Sequence, residues 1–271
     1  MPMTAILHIS DPHFGTERPG VLEALNTFIV DSRPELVILS GDVTQRARAS
    51  QFEVARRFIA QLPAPALVIP GNHDIPLYNV LARWWSPYGN YRKAMGPDLE
   101  PIYESDRILA IGINTTRPAR HKDGEVSEEQ IDRVAKRLTG ARSGQLRLVV
   151  LHHPVRAKVE SDLSNLLHGR EAAMSAWVDA GADLLLAGHI HLPYVMPLAR
   201  RDSRVAWAVQ AGTALSDRVR GDVSNSVNLI RHDPDDLTQP CLVERWDHDD
   251  AQGMFCMIQR HELLLDRRAA S

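Results

Sequence analysis

The stretch VIPGNHDIP, residues 68–76, begins as an apolar strand-like run and ends as a row of reactive groups. The run stops at Pro70, and a glycine, an amide, an imidazole and a carboxylate follow without a break. One such tetrad is compatible with an ordinary turn, so its weight depends on how the other apolar runs end. AILHIS (5–10) passes into Asp11 and His13, and ELVILS (35–40) passes through Gly41 into Asp42. LRLVVLH (146–152) delivers His152 and His153, and ADLLLAGHIH (182–191) delivers His189 and His191. Five strand-like runs therefore finish in carboxylate, amide or imidazole groups, three of them with a glycine at the turn, at 41, 71 and 188.

Amphipathic segments separate these runs. PGVLEALNTFIVDS puts Val21, Leu22, Leu25, Phe28 and Ile29 on one helical face, and SQFEVARRFIAQL follows the second run in the same manner. SEEQ (127–130) has the form of a capping box opening a helix to about Leu138, and a further helix is predicted near 170–179. This βαβαβ rhythm predicts parallel strands with crossover helices. Ligands of such sheets gather beyond the carboxyl ends of the strands, so the five polar termini are expected to meet in one place. The three glycines are expected to turn the backbone sharply while the next side chain projects inward. Residues 75–100 interrupt the rhythm, and LARWWSPYGNYRK (81–93) reads as an irregular excursion anchored by its own aromatics. After 191 come VAWAVQAG, SVNLIRH, CLVERW and MFCMIQRHELLL, strands without helices. The expectation is a single domain over 1–271 with two sheets, residues 192–263 completing the second.

Composition narrows the function classes. The net charge of −3 gives no footprint for gripping nucleic acid. The longest apolar stretches run to about five or six residues, against the ~20 that span a bilayer. MPMTAILHISD lacks a basic flank and reaches a carboxylate at Asp11, so it does not read as a signal peptide, and a cytoplasmic protein is expected. Cys241 and Cys256 are expected as free thiols.

Asp11, His13, Asp42, Asn72, His152, His189 and His191 are too many ligands for one ion. Shared between two ions, with Asp42 common to both, they supply about four protein ligands each. The mixture of imidazole with carboxylate and amide oxygen suits Mn, Fe or Zn and disfavours an all-oxygen Mg or Ca cage. Two such ions attract a phosphate, lower the pKa of a water between them and hold the attacking and leaving oxygens of a displacement.

The motifs DPH, GD, GNHD, HH and GHIH, in this order across residues 11–191, resemble those of the calcineurin-like metallophosphoesterases. The resemblance implies a four-layer α/β/β/α sandwich with two central mixed sheets. It also implies a centre of two divalent or mixed-valence transition-metal ions (Mn, Fe or Zn). One ion would take Asp11, His13 and His191, the other Asn72, His152 and His189, with Asp42 bridging. His73 would contact the phosphate or protonate the leaving oxygen, with Asp74 holding its imidazole in the useful tautomer. His153, second of its pair, is assigned to packing beside the ligands. The chain lacks the RG that follows GD in protein Ser/Thr phosphatases, and its tetrad ends in aspartate where theirs ends in glutamate. Nor does anything supply the DNA-facing domain of double-strand-break nucleases. The chain is similar to the compact bacterial group of class III cyclic-nucleotide phosphodiesterases and glycerophosphodiesterases.

The expected activity is hydrolysis of small phosphodiesters, 3′,5′-cyclic nucleotides foremost, by attack of metal-bound hydroxide. The alternatives are a phosphomonoesterase or nuclease of the same family, or a non-catalytic metal-binding scaffold. The scaffold is disfavoured because every ligand position and His73 are filled. The expected partner is a small phosphoester, with no nucleic acid and no membrane, and pairing of late strands across a homodimer is left open. Arg218 and Arg220, in GTALSDRVRG (212–221), are candidates for the phosphate but read first as turn residues. His8, His121, His168, His232, His248 and His261 lie outside the motifs and read as structural or exposed.

Overall fold

The structure, a computed structural model, describes residues 3–198, 204–236 and 238–266. The chain opens with β1 (Thr4–Ile9), α1 (Pro19–Ser32), β2 (Leu36–Ser40), α2 (Ala49–Ala60) and β3 (Ala66–Ile69). The three strands are parallel, as the alternating rhythm predicts. Next come α3 (Val80–Trp85), α4 (Gly89–Met95), β4 (Ile102–Glu104), β5 (Ile108–Gly112), α5 (Glu128–Thr139), β6 (Leu146–Val150), α6 (Arg170–Asp179) and β7 (Leu184–Ala187). The remainder is all strand: β8 (Tyr194–Pro197), β9 (Trp207–Gln210), β10 (Ser226–His232), β11 (Cys241–Asp249) and β12 (Met254–Leu263). Two sheets form, in the orders β12-β11-β10-β1-β2-β3 and β4-β5-β6-β7-β9-β8.

Both sheets are mixed. In the second, β5, β6, β7 and β9 run parallel, with β4 and β8 antiparallel at the edges. The late strands do not all complete this sheet. Only β8 and β9 join it, whereas β10 pairs antiparallel with β1, from Thr4↔His232 to His8↔Asn228, and carries β11 and β12 into the first sheet. Alternating apolar residues mark each segment as a strand, but that pattern says which face is buried and not which edge is free.

Period-two alternation builds the layers. Leu7, Ile9, Val37 and Leu39 face outward onto Val21, Leu25 and Ile29 of α1 and Phe52 and Phe58 of α2. Their neighbours Ile6, Leu36 and Ile38 face inward and meet Leu146, Leu148 and Val150 of the other sheet. On the far side, Val149, Leu151 and Leu185 pack under Ile131 and Val134 of α5 and Trp177 of α6. Three apolar layers thus separate helix, sheet, sheet and helix, which is the four-layer α/β/β/α sandwich. Each fully buried Leu or Ile contributes ~1.5–3 kcal/mol. The capping box at α5 forms as predicted, Gln130 N–H donating to Ser127 Oγ (3.2 Å) and Gln130 Oε1 accepting from Ser127 N–H (3.0 Å).

The excursion after β3 is only half anchored by its aromatics. Tyr91 is buried and donates to Val68 O (3.0 Å), and Tyr88 bonds Thr116 Oγ1 (2.7 Å). Trp84 and Trp85 instead stand exposed on α3. Cys241 and Cys256 are not joined in a disulfide.

Candidate metal centre

Every candidate side chain follows a parallel strand. Asp11 and His13 come after β1, Asp42 after β2, Asn72 and His73 in a single 3-10 turn after β3, His152 after β6, and His189 and His191 after β7. Backbone bonds tie these loops together: Asp11 N–H to Gly41 O (3.2 Å), His13 N–H to Asp42 O (3.0 Å) and Gly188 N–H to His152 O (3.0 Å). Seven non-glycine residues among those described have positive φ, and five are candidate ligands: Asp11 (50°), His13 (45°), Asp42 (47°), His189 (73°) and His191 (55°). Left-handed backbone costs a residue with a Cβ on the order of 1–3 kcal/mol and persists where the surroundings over-determine it. Strain is therefore concentrated on the residues the sequence singles out.

The glycines act differently from one another. Of Gly41, Gly71 and Gly188, Gly41 alone takes a left-handed turn (φ 96°). Gly71 has extended backbone (φ −107°, ψ 179°), so its requirement is for room and not for a turn. A Cβ there would lie 2.1 Å from the amide nitrogen of Asp42 and 2.2 Å from its Oδ1. At Gly188 a Cβ would lie 1.8 Å from Ser10 Oγ and 2.3 Å from Asp11 Oδ2.

The side chains meet in two groups. In one, His191 Nε2 lies 3.2 Å from Asp11 Oδ1 and 3.1 Å from His13 Nε2. In the other, Asn72 Oδ1 lies 3.1 Å from His152 Nε2 and 3.0 Å from His189 Nδ1. Asp42 stands between them, Oδ1 3.4 Å from His152 Nε2 and Oδ2 3.7 Å from His13 Nε2. Asp11, His13, Asp42 and His152 are buried, whereas Asn72, His73 and His189 are half-buried and mark the open side.

Backbone carbonyls fix the imidazoles. His152 Nδ1 donates to Ser40 O (2.9 Å) and His191 Nδ1 to Arg218 O (2.7 Å). A carbonyl only accepts, so each neutral ring turns its Nε2 lone pair toward the centre. Asp11 Oδ2 accepts from Ser10 Oγ (2.6 Å) and from the His189 amide (2.9 Å), leaving Oδ1 to face inward. Lone pairs and anionic oxygens thus converge in a buried space that calls for positive charge.

Protons can supply that charge. Burial disfavours a charged His152, yet the Asp42 and Asp11 carboxylates raise its pKa to about 9. His191 is likewise raised against burial by Asp11. Burial opposes both carboxylates too, but the surrounding histidines hold Asp11 and Asp42 below the usual carboxylate range. His13 and His189 are pressed down to about 3, by burial first. Cations can take the place of those protons, and the donor set of imidazole nitrogen with carboxylate and amide oxygen fits a transition metal. Ligand atoms of Asp11, His13 and His191 lie within 4.8 Å of one another, and the same holds separately within Asp11, Asp42 and His152 and within His152, His153 and His189.

His153 packs beside the centre, as its place in the pair suggested. Its Nε2 donates to Lys122 O (2.7 Å), its Nδ1 accepts from Thr115 Oγ1 (2.8 Å), and no lone pair is left for an ion. Its ring lies tilted against that of His189, with centroids 4.6 Å apart.

Asp74 does not hold the His73 imidazole. Its carboxylate accepts from the amides of Val43 (3.0 Å), Thr44 (2.8 Å) and Gly71 (2.9 Å) and from Thr44 Oγ1 (2.9 Å). The tight turn Asn72–Asp74 sends successive side chains in different directions, so Asp74 points inward and ties the β2 and β3 loops together. Burial and the Asp42 charge push it up to about 7, against four donors that favour the anion. His73 is oriented instead by Gln45, whose carbonyl accepts from Nδ1 (2.9 Å). His73 Nε2 accepts from Arg218 Nη1 (3.0 Å), which also reaches Gln45 Oε1 (3.1 Å). Sequence reasoning missed Gln45 and gave Arg218 no firm role. The available signal was that 212–221 follows a sixth strand, β9. Arg220 turns away, bonding Asp162 (2.9 Å) and Ile190 O (3.0 Å) between the two GHIH histidines.

Residues 4–193, which contain every member of both groups, match the family described as calcineurin-like phosphoesterase. The chain belongs to the calcineurin-like phosphoesterase family. Within this family of metal-dependent hydrolases, one relative is a probable cyclic nucleotide phosphodiesterase of Synechococcus, 30% identical over 166 residues that make up 60% of each chain. A probable glycerophosphodiester phosphodiesterase of Arcobacter nitrofigilis is 29% identical over 59% of this chain and 57% of its own. The match thus spans about 60% of the length of these relatives. The 3′,5′-cyclic adenosine monophosphate phosphodiesterase of Escherichia coli is 25% identical over 69% of each chain. Among solved structures, a purple acid phosphatase from yellow lupin shares the fold at a TM-score of 0.74 and 13% identity, covering 99% of this chain and 55% of that one. A dimetal phosphatase from Danio rerio gives 0.64 at 13% identity, covering 96% and 99%. No helix among the described residues is long and apolar enough to cross a membrane.

Proposed function

We propose that this chain hydrolyses small phosphodiesters at two transition-metal ions, Mn, Fe or Zn. Asp11, His13 and His191 would hold one ion, Asn72, His152 and His189 the other, and Asp42 would serve both. The observation that carries this reading is the meeting of two acceptor groups at Asp42, with His73 Nε2 at their open side. Two such ions, when bound, neutralise phosphoryl oxygens and activate a water for attack.

The chain's own residues do the positioning. Substrate enters past Asn72, His73 and His189, the half-buried members of the site. Arg218 lies within reach of a phosphoryl oxygen beside His73, and its guanidinium matches that geometry with a fork of N–H donors. An anion that draws Arg218 onto itself frees His73 Nε2 to carry a proton. The Gln45 carbonyl keeps Nδ1–H in place, so the proton passes from Nε2 to the leaving oxygen. Diesters are favoured over monoesters because the relatives in hand are named phosphodiesterases, for cyclic nucleotides and glycerophosphodiesters.

Elemental analysis of purified protein, followed by assays with manganese added, tests the reading. Two metal ions per chain are expected, with faster hydrolysis of bis(4-nitrophenyl) phosphate than of 4-nitrophenyl phosphate and release of 5′-AMP from cyclic AMP. Activity confined to monoesters would overturn it.

A further inference from the structure

A groove leads away from the open side of the centre. It begins in a cavity of about 170 Å³ beside His73, walled by Arg46, Leu77 and Lys122. A second cavity of about 310 Å³ adjoins it, shares Arg46 and Leu77, and extends to Arg48 and Tyr78. Among the described residues no aspartate or glutamate lines either cavity, although the whole chain carries a net charge of −3. Arg46, Arg48 and Lys122 therefore give the groove a field of one sign, and a cleft of this kind gathers anions.

The walls are pinned from beneath. Arg83 of α3 is buried, and its guanidinium donates to Pro76 O (3.1 Å) in one wall. It also donates to Pro118 O (2.6 Å) and Arg120 O (2.7 Å) in the loop that carries Lys122. These partners are carbonyls, so Arg83 adds positive charge under the groove and cancels none. The Lys122 carbonyl is in turn held by His153, whose ring packs at a tilt against the candidate ligand His189. Further out, the Arg46 guanidinium lies 5.4 Å from the centroid of the Tyr78 ring, and that ring is 77% exposed.

The groove starts at His73, so it receives the arm whose oxygen His73 protonates. Resting on the phosphodiesterase reading, the geometry points to a substrate class: phosphodiesters whose leaving alcohol bears a second anionic group, a phosphate above all. In the reaction, water supplies a hydroxyl to phosphorus and the P–O bond to this alcohol breaks. The leaving oxygen takes a proton, giving a phosphomonoester and an alcohol that keeps its own phosphate. Arg46, Arg48 and Lys122 bind that phosphate, and Tyr78 offers a flat face to a base. A cationic head group meets only like charge here.

The test compares the thymidine dinucleotide TpT with its 5′- and 3′-phosphorylated forms on the manganese-loaded protein. The better phosphorylated form is expected to exceed TpT in kcat/KM by about tenfold at low salt, as two or three partly exposed ion pairs allow. The margin shrinks as salt screens the groove. In the double variant R46Q/K122Q the ratio falls to about one, and in R46E/K122E it inverts, a gain for TpT that misfolding cannot mimic. Parity in the wild type, or a preference that survives R46Q/K122Q, overturns the inference. Calorimetric binding of the same dinucleotides to the metal-free chain separates it from the hydrolytic reading. Discrimination in binding without cleavage of any diester supports the groove and removes the hydrolysis. Cleavage of bis(4-nitrophenyl) phosphate without discrimination among the dinucleotides removes the groove alone.

Discussion

Asp11, His13 and His191 bring a carboxylate to their half of the site, whereas Asn72, His152 and His189 bring a neutral amide. Both halves face Asp42, through different oxygens. The first is almost wholly buried, while Asn72 and His189 in the second are half-buried and adjoin His73 and the cationic groove. An anionic, enclosed half holds a cation more tightly than a neutral, open one. On the proposed reading, one carboxylate-to-amide difference between the β1 and β3 strand ends would separate a half that anchors from a half that faces substrate.

Asp42→Ala strikes both halves at once and has the largest expected effect. Loss of turnover on the order of 10³-fold is expected, with bound metal falling below one ion per chain by elemental analysis. Full metal content with turnover kept would mean that the halves do not depend on a common carboxylate. A smaller change follows from exchanging the charges. Asp11→Asn should weaken the tighter manganese site by about 10–100-fold. Asn72→Asp should bring the weaker site toward the tighter one in a calorimetric titration. If Asn72→Asp leaves two unequal affinities as they were, the charge difference is not what distinguishes the halves.

Glycine replacements reach the same contrast through sterics. Gly71→Ala forces a Cβ against Asp42, whose backbone cannot retreat, so about 1–3 kcal/mol of stability and much of the turnover should go together. Gly188→Ala presses on Ser10 and Asp11 and should weaken the first half more than the second. Gly20→Ala, with nothing within 4 Å, is the control in the same denaturant titration.

The strand ends were legible because an apolar run that stops abruptly at His, Asp or Asn marks both a boundary and a ligand. The βαβαβ rhythm then predicted that β1, β2 and β3 are parallel neighbours. Four features were not legible. The edge chosen by β10 depends on which strand is left unpaired, and alternation is silent on that. The partners of Asp74 and His73 depend on loop hydrogen bonds: Asp74 reaches back to Val43 and Thr44, and Arg218 reaches His73 across 145 residues. His121, outside the motifs, lines the cavity beside His73 on a loop that Arg83 bonds at Arg120 O. At Gly71 the sequence predicts a turn, whereas the glycine is required by the crowding of Asp42, a contact between two loops that sequence spacing cannot express.

The smallest expected effect concerns pH and separates the proton-filled site from the metal-filled one. In the metal-free chain His152 is raised from its ordinary 6.5 to about 9, so its stabilising contribution is complete below about 6.5 and is lost as pH climbs toward 9. His13 and His189 behave oppositely. Lowered to about 3, they are neutral when folded, and their contribution is present above 6.5 and lost as pH falls below it. The metal-free protein should therefore be most stable near neutrality and lose several degrees of Tm on either side, on the order of 1–3 kcal/mol. A cation requires His152 without its proton, so manganese should abolish the alkaline loss while leaving the acid one, where protons displace the ion. Thermal melts from pH 5 to 9, with chelator and with manganese, read both limbs. Superimposable alkaline limbs would show that no ion displaces the His152 proton, and the second half of the site would lose its cation.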